Sequence, residues 1–196
     1  MGSGTSGAQL HDVIRRSFAF NDRLYALVDA ARDPGFVRTL RDKFKLEMTW
    51  LFRGGTAAAM KDVAPYLVSL EFRARYPYPG SEFLDHWAHR LGGSIGFLAV
   101  CPADSAEMKS HLQEAFHVED VDGHPYYFRF YDPRVLRTFL PTCTRDDAKV
   151  FFGPIRRILV ESQQPGRILS CGPDRTGVNI AEREFGSTAR GDANRR

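Results

Sequence analysis

Short apolar runs alternate along this chain with stretches whose apolar residues recur at helical spacing. Residues 24–28 (Leu-Tyr-Ala-Leu-Val) form an unbroken apolar run closed by Asp29, the pattern of a buried strand. Asp33-Pro34 then reads as a helix start, with Asp33 as N-cap and Phe36, Val37, Leu40 and Phe44 on one face. Residues 47–52, 66–70, 94–101 and 126–131 give four further strand candidates. Helices are predicted over 82–91, 105–116 and 133–139, and again after Thr144. Gly153-Pro154 interrupts that last helix, and Ile155, Ile158 and Leu159 predict its resumption.

The alternation of strand and helix predicts an α/β fold: a mostly parallel or mixed five-stranded sheet flanked by helices, with a small C-terminal appendage. Residues 1–20 read as a leader and lead-in helix, with Leu10, Val13 and Ile14 at helical spacing, and 21–162 as the α/β domain. Residues 163–185 read as a small hairpin around Gly172-Pro173-Asp174. From Gly186 the chain is small and polar and predicts a disordered tail, 186–196.

The densest chemistry lies at Phe128-Arg129-Phe130-Tyr131-Asp132-Pro133-Arg134, where a strand pattern turns into a helix pattern. Pro133 fixes the backbone at the first helical position, and Asp132 before it has the look of an N-cap. Strand alternation puts Arg129 and Tyr131 on one face and the two phenylalanines on the other. Arg129 is then either a paired structural group or a recognition anchor, since Arg and Tyr are enriched at interface hot spots. Phe151 and Phe152 are adjacent on a predicted helix, so one is expected in the core and the other outside, adding to a partner surface with Tyr76, Tyr78 and Phe83.

Composition narrows the function. In 196 residues the formal net charge is only +3, with basic residues scattered among acids, which argues against nucleic acid. No apolar run is long enough to span a membrane, and the first residues lack the pattern of a secretory signal. Cys101, Cys143 and Cys171 are odd in number and widely spaced, as expected of buried thiols in a reducing cytoplasm. His86 and His89 are three apart but lack a third metal ligand nearby, so no metal or other cofactor is expected. Arg53-Gly54-Gly55-Thr56 lacks the lysine of a phosphate loop, and Gly92-Gly93-Ser94 precedes a strand instead of following one. Asp29 and Asp132, each after a strand, could act with a histidine in a small hydrolase or transferase, or could simply cap helices and pair with arginines.

Five blocks in order resemble a known family. Residues 24–30, 50–56, 64–68, 128–136 and 151–155 are similar to the strands, turn, corner and closing element of the type VI secretion effector-adaptor, or effector-chaperone, domain. The chain departs from that pattern in the extra glycine at Gly54-Gly55 and in its short C-terminal part. The resemblance implies a non-catalytic, cytoplasmic protein of a Gram-negative bacterium. Its partners would be a toxic effector and the secretion spike protein, with no cofactor. The corner residues Arg129, Tyr131, Asp132, Pro133 and Arg134, with Phe151 and Phe152, would contact or support the partner.

Overall fold

The computed structural model describes residues 6–53, 60–70, 80–119 and 122–185. The readings made for Gly54-Gly55-Thr56, for Tyr76 and Tyr78, for the first five residues and for the tail lie outside them.

The first half of the chain interleaves its strands. Helix α1 (Ser6–Arg15) buries Leu10 and Ile14. Strand β1 (Arg23–Asp29) follows, buried along all but its first residue. Helix α2 (Pro34–Asp42) starts as its sequence dictates: the Asp33 carboxylate accepts from the Phe36 N–H at 2.8 Å, with Pro34 at the first position. Then come β2 (Met48–Trp50), β3 (Pro65–Leu70), α3 (Gly80–Ala88) and β4 (Gly96–Cys101). Strands β1 and β2 run in the same direction, as do β3 and β4, so each helical crossover joins strands of like sense. Between each such pair, however, lies one antiparallel strand: β3 separates β1 from β2, and β1 separates β3 from β4.

The second half covers and extends the sheet. Helix α4 (Ser105–Ala115) is capped by Asp104. A two-stranded ribbon, β5 (His117–Glu119) and β6 (Pro125–Tyr127), leads to α5 (Pro133–Phe139) and α6 (Arg145–Phe152). Helix α6 begins in a capping box between Thr144 and Asp147. Strands β7 (Arg157–Glu161), β8 (Arg167–Pro173) and β9 (Val178–Glu184) complete a seven-stranded sheet ordered β2-β3-β1-β4-β7-β8-β9. Every pairing in it is antiparallel.

The sheet therefore differs from the five-stranded parallel or mixed one predicted. Its central strands are buried on both faces, which removes the polar alternation of a one-sided antiparallel sheet and leaves continuous apolar strands. One core joins Leu24, Ala26, Val28, Val68 and Leu98 to α1, α2 and α3. The other joins Tyr25, Leu27, Phe97 and Ala99 to α4, α5 and α6. Residues 157–161 are a strand and not a resumed helix. Gly153 takes φ 47° and ends α6, and the short run Ile158-Leu159-Val160 fits between β4 and β8. The predicted hairpin forms as β8 and β9, but it hydrogen-bonds to β7 and is an integral part of the sheet, not an appendage. The expected fifth strand shrinks to β6, because the chain turns between Phe130 and Asp132.

Gly96 is where close packing of backbone demands glycine. It has φ 142°, and a Cβ there would lie 1.8 Å from the Leu27 carbonyl oxygen. Gly123 also has positive φ, 79°, but faces open space. Gly123→Ala is expected to cost about 1 kcal/mol from backbone strain alone. Gly96→Ala, which also forces β4 away from β1, is expected to cost at least twice as much. Urea unfolding of the two variants checks the order.

Candidate functional site

Strands β1 and β7 share a direction, so the carboxylates that close them, Asp29 and Glu161, reach the same sheet edge. Helix α5 spans that edge. Its N-cap Asp132 lies in the electrostatic field of Asp29, and its Arg137 reaches Glu161. All three carboxylates are buried, and burial of an unpaired charge is costly, so each is surrounded by donors.

Asp132 is held most tightly. Its Oδ1 accepts from the backbone N–H and the Nε of Arg134, both at 3.0 Å, and its Oδ2 from Arg134 Nη2 at 2.6 Å. That two-pronged pairing fixes the guanidinium plane as well as its position. Arg32 Nη2 lies 3.7 Å from the same carboxylate. The Arg134 side chain is nevertheless 53% exposed. Asp29 Oδ1 accepts from the Ala31 N–H at 3.0 Å, and its Oδ2 is 3.5 Å from Arg129 Nη2. Burial pushes the Asp29 carboxyl above its ordinary pKa, against the Ala31 N–H and the Arg129 and Arg32 charges, which favour ionisation. The Arg129 guanidinium also lies 5.5 Å from the centre of the Tyr131 ring, within cation–π range, and its side chain is 50% exposed. Two exposed cations are thus held from below by two buried acids.

Glu161 serves a tight loop. It accepts from the Gly92 N–H at 2.6 Å, from the Ser94 N–H at 3.3 Å and from the Ser94 hydroxyl at 3.0 Å. Ser94 takes φ 55°, a value that side chains adopt rarely. The Gly92 and Ser94 amides thus grip an anion from the chain's own β7, while the Gly93 N–H donates to the Arg90 carbonyl at 3.0 Å.

Beside this charged edge lies an aromatic patch. Phe116 stacks on Tyr127 at 4.9 Å and packs against Phe130, also at 4.9 Å. Phe52, Phe116 and Tyr127 line a cavity of about 280 Å³, together with Arg53, Met60 and Gln113. Tyr126 and Tyr127 are exposed there, whereas Trp50, also exposed, stands beside Tyr66 on the other sheet face.

The residues singled out in the sequence come together only in part. Arg129, Asp132 and Arg134 form one cluster. Tyr131 lies under Arg129, the neighbour expected on its face, but is also buried against Phe130, because the backbone turns there. Pro133 is the buried first residue of α5. Phe151 and Phe152 are both buried, so neither offers partner surface; the expectation that one points outward fails because α6 is covered on that side. Phe151 packs on Phe139 at 5.2 Å and Phe130 at 5.9 Å, and so supports the corner from within. Phe83 is buried in the other core. Sequence reasoning missed Arg32, Arg137 and Glu161. The first was visible as a cation three residues after Asp29; the other two required residues 157–161 to be read as a strand.

The carboxylates' hydrogen bonds come from arginines, backbone amides and the Ser94 hydroxyl. His86 Nε2 lies 3.2 Å from Lys43 Nζ, and His111 Nε2 lies 2.9 Å from the Phe151 carbonyl. Burial pushes the Cys101 and Cys171 thiols up to about 12 and Cys143 up to about 11, which keeps them protonated. Among the described residues no group of three or more His, Cys, Asp and Glu could hold a metal ion, and no helix is long and apolar enough to cross a membrane.

Residues 24–149, which hold most of this arrangement, match the family described as a domain of unknown function, DUF4123. The chain belongs to the DUF4123 family. The match to DUF4123 takes in β1 through most of α6, including Asp29, Arg129, Asp132 and Arg134, and leaves out α1 and β7 to β9. No curated protein matches the chain. No solved structure matches it either.

The raised Asp29 pKa has a definite sign. An acid whose folded pKa exceeds its unfolded value of about 3.9 contributes stability below that value, and the contribution is lost as pH rises through the folded pKa. The melting temperature of wild type relative to Asp29→Asn is therefore expected to be higher at about pH 4 than at about pH 7. A relative stability that instead grows with pH would mean that the arginines outweigh burial.

Proposed function

We propose that this DUF4123 protein is a cytoplasmic adaptor that binds a toxic type VI secretion effector and helps to load it onto the spike protein. The observation that carries this reading is the charged edge: Arg129 and Arg134 are half exposed, yet each is anchored to a buried carboxylate. Such cations are already ordered before a partner arrives, so less side-chain entropy is lost on contact. The exposed aromatics Tyr126 and Tyr127 near them supply apolar surface of the kind that protein interfaces need. A stable interface covers about 800 Å² on each partner, within reach of an edge this broad. Four of the five blocks that resemble the effector-adaptor domain lie in the matched family region, and the corner is among them.

The hydrolase or transferase reading has its two acids, Asp29 and Asp132, on one edge, but their hydrogen bonds go to arginines and amides. The adaptor reading accounts for that arrangement directly.

Asp132→Ala is a poor test, because it removes a helix cap and strands Arg134 over a buried site. Arg129→Gln with Arg134→Gln removes the presented charges while keeping donors for Asp29 and Asp132. The double variant is expected to melt within a few degrees of wild type and to lose co-purification with the effector from cells carrying the secretion apparatus. Undiminished co-purification would show that the corner only supports the fold.

A further inference from the structure

A second concave surface lies outside the residues that match the family. It is a groove of about 560 Å³ between the end of α1 and the outer strands of the sheet. Register places its floor on one sheet face: Arg157 stands beside Gly172 and Asn179, and the next row holds Ser170 and Ala181. Gly172 has no side chain, and a Cβ there would lie 2.8 Å from Arg157 Nη1, so the guanidinium lies flat across β8. Small floor residues keep the groove open. Arg16, just after α1, and Arg183 from β9 complete its walls.

The charge of this groove is not compensated from within. Elsewhere Arg32, Arg129, Arg134, Arg137, Arg156 and Arg167 lie within ion-pair distance of carboxylates. Arg16, Arg157 and Arg183 make no ion pair with any described carboxylate; Arg183 donates only to the Glu182 carbonyl, at 3.3 Å. Glu184 borders the groove, but Arg167 engages its carboxylate at 2.9 Å. The groove also runs beside β9, the last strand of the sheet, whose outer backbone groups have no strand partner among the described residues. An open strand edge is a template for an added strand.

We infer that the groove formed by Arg16, Arg157 and Arg183, on the sheet face inside the free edge of β9, binds an acidic, extended polypeptide segment of a partner protein whose carboxylates project from that edge onto the groove face. Main-chain hydrogen bonds to β9 hold the segment, and its carboxylates pair with the arginines. The inference rests on the adaptor reading for the identity of the partner. It assigns partner choice to the parts of this chain that the family match leaves out, while the charged corner lies within the match.

The test uses the purified chain and a fluorescein-labelled peptide of seven residues, the length of β9, alternating Glu and Thr. A Gln-Thr peptide, inorganic phosphate and an oligothymidylate serve as comparisons. The Glu peptide is expected to bind, and Arg157→Gln or Arg183→Gln to weaken it by about tenfold, the size of one charge-assisted hydrogen bond. Arg16→Gln, just after α1, is expected to act in the same direction should either strand variant fold poorly. Arg145→Gln on α6 is expected to leave binding unchanged. Equal binding of the Gln peptide, displacement by equimolar phosphate, or binding of the oligonucleotide in place of the Glu peptide would overturn the inference. Effector co-purification is not needed for this measurement. Peptide binding without effector capture would keep the groove and remove the adaptor reading; effector capture with no peptide binding would do the reverse.

Discussion

Three carboxylates buried at one edge of the sheet set the terms for the rest of the molecule. Asp29, Asp132 and Glu161 cannot stay charged there without donors, and the fold supplies them from four segments. The β1–α2 turn gives the Ala31 amide and Arg32; the corner and α5 give Arg129, Arg134 and Arg137; the loop before β4 gives Gly92 and Ser94. One set of ionic contacts therefore ties α5 to β1 and β7 and the loop after α3 to β7. Removing a donor without putting another in its place leaves a buried charge uncompensated, which is why the edge acts as a unit. The same contacts leave two guanidinium groups ordered and facing outward.

Much of this edge was legible in the chain. Asp132-Pro133 announced a helix start and Arg134 a partner for it, and the residues are bonded that way. Helices α2, α5 and α6 begin at the caps their sequences advertise. What failed was direction. Helices between apolar strands suggest parallel neighbours, but nothing local in residues 24–28 or 96–101 shows that a third strand will slot between those the helices connect. Strand order is decided by long-range packing on both faces. Likewise Ile158-Leu159-Val160 has no periodicity that separates strand from helix; its neighbours β4 and β8 decide. Tyr131, though under Arg129 as expected, packs beside Phe130, and neither Phe151 nor Phe152 faces outward, for a simpler reason. Alternation and helical angles assume regular backbone, and the chain turns at the first and is covered at the second.

The family match ends before β7, yet β7, β8 and β9 are three of the seven strands in the sheet, and Glu161 at the end of β7 closes the charged edge. The matched region thus depends on a later segment for its last ionic contact. The arginine groove is built from that same later segment and α1.

The central claim is that buried acids hold the edge arginines still before any partner binds. Side-chain NMR relaxation of the Arg134 Nε–H group tests it directly. The account predicts an order parameter near that of rigid backbone, about 0.85, falling below about 0.6 in Asp132→Asn. A value already below about 0.6 in the unaltered protein would contradict it.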